Sequence, residues 1–209
     1  MQHPSLETIA ERLSERLRCK QEDLCRPIVH QVTRGKPVTP ASLRASLQVS
    51  QDELEHRLAR LPPDVEFDRA GNIVGLGATL VPTPHRFQIG GQLLYTWCAF
   101  DTVLLPPSLH VEAQVQSTCP VTGQPITFVA TPEGVIRDLS PASGVMSLIV
   151  PIARSDCTRA TFCQQSLLFQ SEQAASTFLA DHPEALLLSV EEAAYVGRLV
   201  AQSCAKDAG

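Results

Sequence analysis

Val65-Glu66-Phe67-Asp68-Arg69-Ala70-Gly71-Asn72-Ile73-Val74 reads as two short strands joined by a tight turn, because its centre holds the aspartate, glycine and asparagine that turns favour while its flanks are β-branched and aromatic. What precedes it decides the fold. Ser50 and Glu53 have the spacing of a capping box that opens a helix running to about Leu61. Thr39-Pro40 supplies the N-cap and first residue of another, which runs through Leu47. Before that, a helix from about Leu24 to Arg34 carries Pro27 in its first turn, where an amide donor has no partner anyway, and Gly35 provides the stop. Three short helices and a β-wing make a helix-turn-helix of the winged kind over residues 21–80. Further out, Leu6, Ile9, Leu13 and Leu17 recur at helical spacing, so residues 1–20 hold an amphipathic helix.

Past Leu76 the texture changes to strands punctuated by proline and glycine. Val111, Ala113 and Val115 alternate with Glu112, Gln114 and Gln116, and Cys119-Pro120-Val121-Thr122-Gly123-Gln124-Pro125 turns the chain into a strand over 126–130. Strands are expected at 135–139 and 145–150, the second apolar enough to be central. A helix over 156–163 leads to a buried strand near Leu167-Leu168-Phe169. Ser171 caps a helix that ends by His182-Pro183, Leu186-Leu187-Leu188 forms a short strand, and a second capping box at Ser189 and Glu192 opens the last helix. The expected fold is α+β, with a winged-helix-like three-helix domain followed by a mixed or antiparallel β core and surrounding helices over residues 81–209.

The chain has 209 residues, 44% hydrophobic and 19% charged, with a formal charge of −5; it can bury a sizeable core and offers no global basic field to nucleic acid or anionic lipid. Residues 11 to 44 are locally basic, with eight Arg/Lys against four acids. The helix that would read DNA nevertheless opens Gln51-Asp52-Glu53-Leu54-Glu55, placing acids where phosphates would lie. No stretch approaches the roughly 20 apolar residues that span a bilayer. Seven cysteines, an odd number, and an N-terminus without an apolar signal core indicate free thiols in a reducing cytoplasm.

Those cysteines do not spell zinc. Structural zinc sites use C-x2-4-C pairs, whereas the closest spacings are Cys19-x5-Cys25 and Cys157-x5-Cys163. Gly75-Leu76-Gly77 lacks the third glycine of a dinucleotide loop. Cys19, Cys25 and Cys157 read as ordinary thiols, Cys204 as a small apolar residue on a helical face, and Trp97 as a core ring under the helix that carries Cys98. That helix is the interesting one. If Thr96 caps it, Cys98 lies in the first turn, where the helix dipole favours thiolate, and Asp101 falls three residues on along the same face, raising the thiol pKa and sharing its proton. Should the fold bring Cys163 to the same place, two sulfurs and one carboxylate select a thiophilic metal. From the residues alone the Cys98–Asp101 pair is as readily structural as reactive.

Several segments together resemble one family. The run Leu94-Tyr95-Thr96-Trp97-Cys98-Ala99-Phe100-Asp101-Thr102, the later Thr161-Phe162-Cys163, the turn Thr118-Cys119-Pro120-Val121-Thr122-Gly123, and upstream Arg34-Gly35-Lys36-Pro37-Val38 and Asp68-Arg69-Ala70-Gly71-Asn72-Ile73-Val74-Gly75 look like the organomercurial (alkylmercury) lyases, over roughly residues 24 to 200. The resemblance implies protonolysis of the carbon–mercury bond of alkyl- and arylmercury compounds, with Cys98 and Cys163 as mercury ligands and Asp101 as proton shuttle, also in contact with product Hg²⁺. It implies no required cofactor, release of Hg²⁺ to small external thiols or a mercuric reductase, and a fold-supporting role for Cys119. Relatives carry a second cysteine directly after the one at 163, where this chain has Gln164. Two other functions stay open: a soft-metal (Hg/Cu) binding protein using the same two thiols, and a thiol-responsive winged-helix regulator. Asp101 separates the first from the lyase, since a carrier needs no acid; salt-sensitive DNA binding would mark the second.

Overall fold

The structure is a computed structural model that describes residues 4–17, 22–61, 64–151 and 158–206. Leu6–Leu17 forms α1, followed by α2 (Glu22–Val32), α3 (Pro40–Leu47) and α4 (Gln51–Leu58). Local sequence sets their ends. Thr39 caps α3 by accepting from the Ser42 amide at 3.0 Å, and Ser50 caps α4 through the Glu53 amide at 3.2 Å. Gly35, at φ +77°, takes the left-handed conformation that lets the chain leave α2. Only half of the box at Ser50 closes, because the Glu53 carboxylate turns instead to Arg57 at 2.7 Å, and Arg57 also reaches Asp23 of α2 at 2.7 Å.

β1 (Glu66–Phe67) and β2 (Ile73–Leu76) pair antiparallel about a turn in which the Asp68 carboxylate accepts from the amides of Ala70 and Asn72, each at 2.9 Å. This is the β-wing, and it does not stand apart. β3 (Ala78–Thr79), β4 (His85–Ile89), β5 (Gln92–Thr96), β6 (Ala113–Thr118), β7 (Pro125–Ala130) and β8 (Ile136–Ser140) continue it into one eight-stranded sheet, ordered β1-β2-β3-β5-β4-β6-β7-β8. Every described pairing is antiparallel. A second sheet places β9 (Val145–Leu148), buried throughout, between β10 (Leu168–Phe169) and β11 (Leu186–Ser189).

The alternation read at 113–116 is the alternation observed: Ala113, Val115 and Ser117 are buried while Gln114 and Gln116 face solvent. Phe87, Leu94, Ile126 and Phe128 join the same inner face, where a fully buried side chain such as Phe87 contributes about 1.5–3 kcal/mol. Against that face lies α5 (Asp101–Leu109), and α8 (Val190–Lys206) packs on α5. Contact is close because position 197 is glycine: a Cβ there would stand 2.7 Å from the Val103 carbonyl oxygen. Since Asp101 begins α5, this seating also fixes one member of the candidate site. α1 packs on α8, with the Tyr195 hydroxyl donating to Glu7 at 3.0 Å. Ser189 and Glu192 close their box from both sides, at 2.9 and 3.1 Å, and α7 (Glu172–Asp181) is capped by Ser171 as expected.

Four local expectations are corrected. α2 begins at Glu22, so Pro27 lies past the first turn, inside the helix. α4 stops at Leu58 rather than Leu61, its last turn closed by the Ala59 amide on Glu55. The helix expected over 156–163 is described only as α6 (Thr158–Thr161), with a 3₁₀ turn at Cys163–Gln165; its first residues lie outside the described ones. Cys25 is disulfide-bonded, so the expectation of free thiols fails there, and Cys19 and Cys157 lie outside the described residues.

Candidate active site

The turn between β5 and α5 carries Cys98, and it is not a helical turn. Thr96 pairs with Ala78 in the β3–β5 ladder, and its hydroxyl donates to the Cys98 carbonyl at 2.8 Å, so it caps nothing. Helix α5 begins only at Asp101. The three-residue spacing works by another geometry: the Asp101 side chain folds back, and its Oδ2 accepts from the Cys98 amide at 3.2 Å and from the Cys98 thiol at 3.3 Å. A carboxylate in a first helical turn also has the favourable end of the dipole beneath it.

Cys163 comes to this place in the 3₁₀ turn that precedes β10 of the second sheet. The segment that presents it is fixed by Ser166, which is fully buried and accepts twice from the Cys98 turn: its carbonyl from the Ala99 amide at 3.1 Å, its hydroxyl from the Phe100 amide at 3.0 Å. Ser147 of β9 adds a second clasp, donating to the Gln165 carbonyl at 2.8 Å and accepting from the Leu167 amide at 3.1 Å. Phe100 and Phe162 meet edge to face at 5.6 Å, a geometry aromatic rings prefer. The result is a cluster in which the ligand atoms of Cys98, Asp101 and Cys163 all lie within 4.8 Å of one another. Cys98 is 1% and Cys163 7% exposed.

Burial governs the electrostatics. It pushes the Cys98 thiol well above its ordinary value, helped by the hydrogen bond to Cys163 and the charge of Asp101; the expectation that a helix dipole favours thiolate is overturned, and the thiol is protonated at rest. Burial likewise raises Asp101 to about 6, against the lowering effect of its hydrogen bonds from Cys98 and of the nearby Arg159 charge. A carboxyl poised there takes or gives a proton near neutral pH.

A polar network borders the cluster. Arg159 of α6 lies over the Trp97 ring, its guanidinium carbon 5.1 Å from the centroid, and donates to Glu66 Oε1 of β1 at 2.6 Å. Glu66 Oε2 accepts from the Trp97 indole at 3.0 Å and from the Thr79 hydroxyl. Trp97 is therefore a half-buried partner in an ionic network rather than a plain core ring.

Comparison with known proteins gives the family. The alkylmercury lyase family profile matches residues 78–202, and a profile for the helix-turn-helix domain of alkylmercury lyase matches residues 8–77. The chain belongs to the alkylmercury lyase family. It is 38% identical to the alkylmercury lyase of Streptomyces lividans over 175 residues, 84% of this chain and 80% of that one. To the Pseudomonas putida alkylmercury lyase it is 38% identical over 180 residues, 86% of this chain and 84% of that one. Its fold matches a crystal structure of the mercury-bound form of MerB2 with a TM-score of 0.76, covering 95% of this chain and 98% of that one at 24% identity.

Within this alkylmercury lyase family member, the other singled-out positions lie elsewhere. Cys119 is buried at the β6–β7 hairpin, where its amide donates to Gln124 and its carbonyl accepts from Gly123, both at 2.9 Å. Gln164 is exposed. Ser166, Arg159 and Glu66 drew no attention in the sequence, and nothing local to them could have drawn it. Their partners sit 66, 31 and 93 positions away along the chain, as Ser166–Phe100, Glu66–Trp97 and Arg159–Glu66. Among the described residues no helix is long and apolar enough to cross a membrane.

Proposed function

We propose that this protein is an organomercurial lyase that cleaves the carbon–mercury bond of alkyl- and arylmercury compounds by protonolysis, using Cys98, Asp101 and Cys163. The observation that carries the reading is the enclosed cluster of two sulfurs and one carboxylate oxygen within 4.8 Å. The order of events follows from the proton inventory. Mercury is soft and binds thiolate, so a protonated Cys98 captures R–Hg⁺ only by giving up its proton, and the acceptor already in contact is Asp101 Oδ2 at 3.3 Å. Cys163 then releases its own proton to solvent, as the H⁺ of the overall balance, and becomes the second ligand. Two thiolates press electron density onto mercury and weaken its bond to carbon, and the carboxyl now holding a proton delivers it to that carbon. The balance is R–Hg⁺ + 2 Cys–SH → R–H + Hg(S–Cys)₂ + H⁺.

General acid catalysis contributes about 10²–10⁴-fold, and gathering ligands, substrate and acid in one place supplies up to about 7–11 kcal/mol. Product Hg²⁺ stays on the two sulfurs until small thiols of the cytoplasm or a mercuric reductase take it. Residues 21–80 serve in this reading as a scaffold for the core at 81–209: the cation of the would-be recognition helix, Arg57, is held by Glu53 and Asp23. The deciding experiment is headspace gas analysis of the protein with methylmercury in excess thiol. Methane above the protein-free control is expected; its absence, with both cysteines shown reduced, rejects the lyase.

A further inference from the structure

Arg159 lies in the short helix that leads to Cys163, and it is held from the β-wing and the residues just before that wing. The Asp64 carboxylate accepts from the Arg159 amide at 3.2 Å and Glu66 accepts from its guanidinium at 2.6 Å. Glu66 is the more committed of the two. Its side chain is 15% exposed, and its two oxygens serve three donors on three separate elements: Thr79 of β3, Trp97 beside Cys98, and Arg159 of α6. The wing makes room for it. Gly75, opposite Glu66 in the β1–β2 register, has no side chain where a Cβ would come within 2.0 Å of Glu66 Oε2.

We propose that Glu66 is a positioning residue for the two-thiol site: by tying Arg159 to Trp97 it holds the segment that presents Cys163 at the separation from Cys98 that one heavy atom bridges. This rests on the reading of Cys98 and Cys163 as mercury ligands. The physical reason is one of distribution. Cys98 is fixed by its own neighbours, Thr96 and Asp101, whereas the α6 side of the Cys163 segment has the Glu66–Arg159 pair as its charged anchor. A displacement of about 1 Å at a reacting group costs on the order of 10²-fold in rate, so loosening that anchor acts on turnover without removing any reacting atom. Binding of substrate to the first thiol is left in place.

Two substitutions release the carboxylate by different routes. Glu66→Gln removes the ion pair, and Gly75→Ala pushes Glu66 off Trp97 and Thr79 sterically while keeping its charge. In both, kcat for methylmercury protonolysis is expected to fall about 10- to 100-fold with KM changed less than threefold, and the emission of Trp97, the only tryptophan, is expected to shift. Arg159→Lys, which keeps a cation for Glu66 but not the planar stack, recovers part of the rate lost in Arg159→Gln. A mercury-free measurement separates this from the lyase reading: phenylarsine oxide, which needs two thiols at a fixed separation, is expected to bind both variants at least tenfold more weakly. Iodoacetamide, which needs one, reacts at the wild-type rate. Unchanged arsenical affinity in both folded variants, or lost activity without any change in affinity or Trp97 emission, overturns the positioning role. Failure of the wild type to release methane overturns the lyase reading and leaves the arsenical comparison to decide this one.

Discussion

The two turns that carry the thiols are built differently. Around Cys98 itself much of the hold is local, with Thr96 on its carbonyl, Asp101 on its amide and sulfur, and Thr102 on the Ala99 carbonyl at 2.6 Å. Ser166 adds two bonds to Ala99 and Phe100 from the other turn. The Cys163 turn has distant anchors, Ser147, the amides of Ala99 and Phe100, and through Arg159 the wing residue Glu66. One ligand is supplied ready-made by local sequence; the other is assembled by tertiary structure. Damage near Cys98 should accordingly strike chemistry, and damage around Cys163 should strike the meeting of the two halves.

The largest effects break both turns alike. Cys98→Ser and Cys163→Ser are each expected to take hydrocarbon release from methyl- or phenylmercury below detection, and full turnover by either variant would end the two-thiol reading. Next comes a test of the first turn alone. Asp101→Asn should still capture the organomercurial with one-to-one stoichiometry but lose about 10²–10⁴-fold in kcat, checked by single-turnover gas release; an unchanged kcat removes the shuttle.

The second turn gives a stability effect instead. Ser166→Ala leaves the Phe100 amide buried without its acceptor, a loss of about 1–3 kcal/mol, read as a lower urea midpoint. Were the midpoint to stay where it is, Ser166 would not be the clasp described.

The smallest effect is a difference between two pH curves. Asp101 has a folded pKa of about 6 against an ordinary 3.8; the folded state binds its proton more readily, so keeping it ionised above pH 6 costs up to about 3 kcal/mol at 1.36 kcal/mol per unit. That cost fades as pH falls from 6 toward 4. His85 runs the other way. Burial lowers it from 6.5 to about 4, with Nδ1 2.8 Å from the Ser117 hydroxyl, so its contribution is full above pH 6.5 and is lost as pH falls toward 4. Between pH 6.5 and 4 the two offset each other. Asp101→Asn removes one side: the variant should be the more stable protein at pH 7, and its advantage should shrink on acidification, measured by urea unfolding at pH 7 and 4.5. An advantage that stays constant with pH would show that Asp101 is not held in its raised state.

What could be read in the chain followed the same division. Thr39-Pro40, Ser189 with Glu192, and the alternation at 113–116 act through the backbone within a few residues, so their meaning is local and the structure repeats it. Cys98 and Asp101 were legible as a pair but not as a geometry, since a three-residue spacing fits a helical face and a turn leading into one equally well; Thr96, spent on the β3–β5 ladder, decides between them. Cys163 could be joined to Cys98 only through the resemblance. Ser166, Glu66 and Arg159 are ordinary polar residues whose work depends on chain segments meeting across sheets and helices, and no periodicity announces such a meeting.

Because β1 and β2 are stitched to β3, the wing doubles as a hem for the large sheet. A shortened chain that began at Ala78 would keep all three candidate reactive side chains and yet bare the backbone donors and acceptors of β3 along an open edge, where a second copy could add its own strand. Anyone trimming this protein to a minimal mercury catalyst should expect sticky, self-associating material unless that border is covered again.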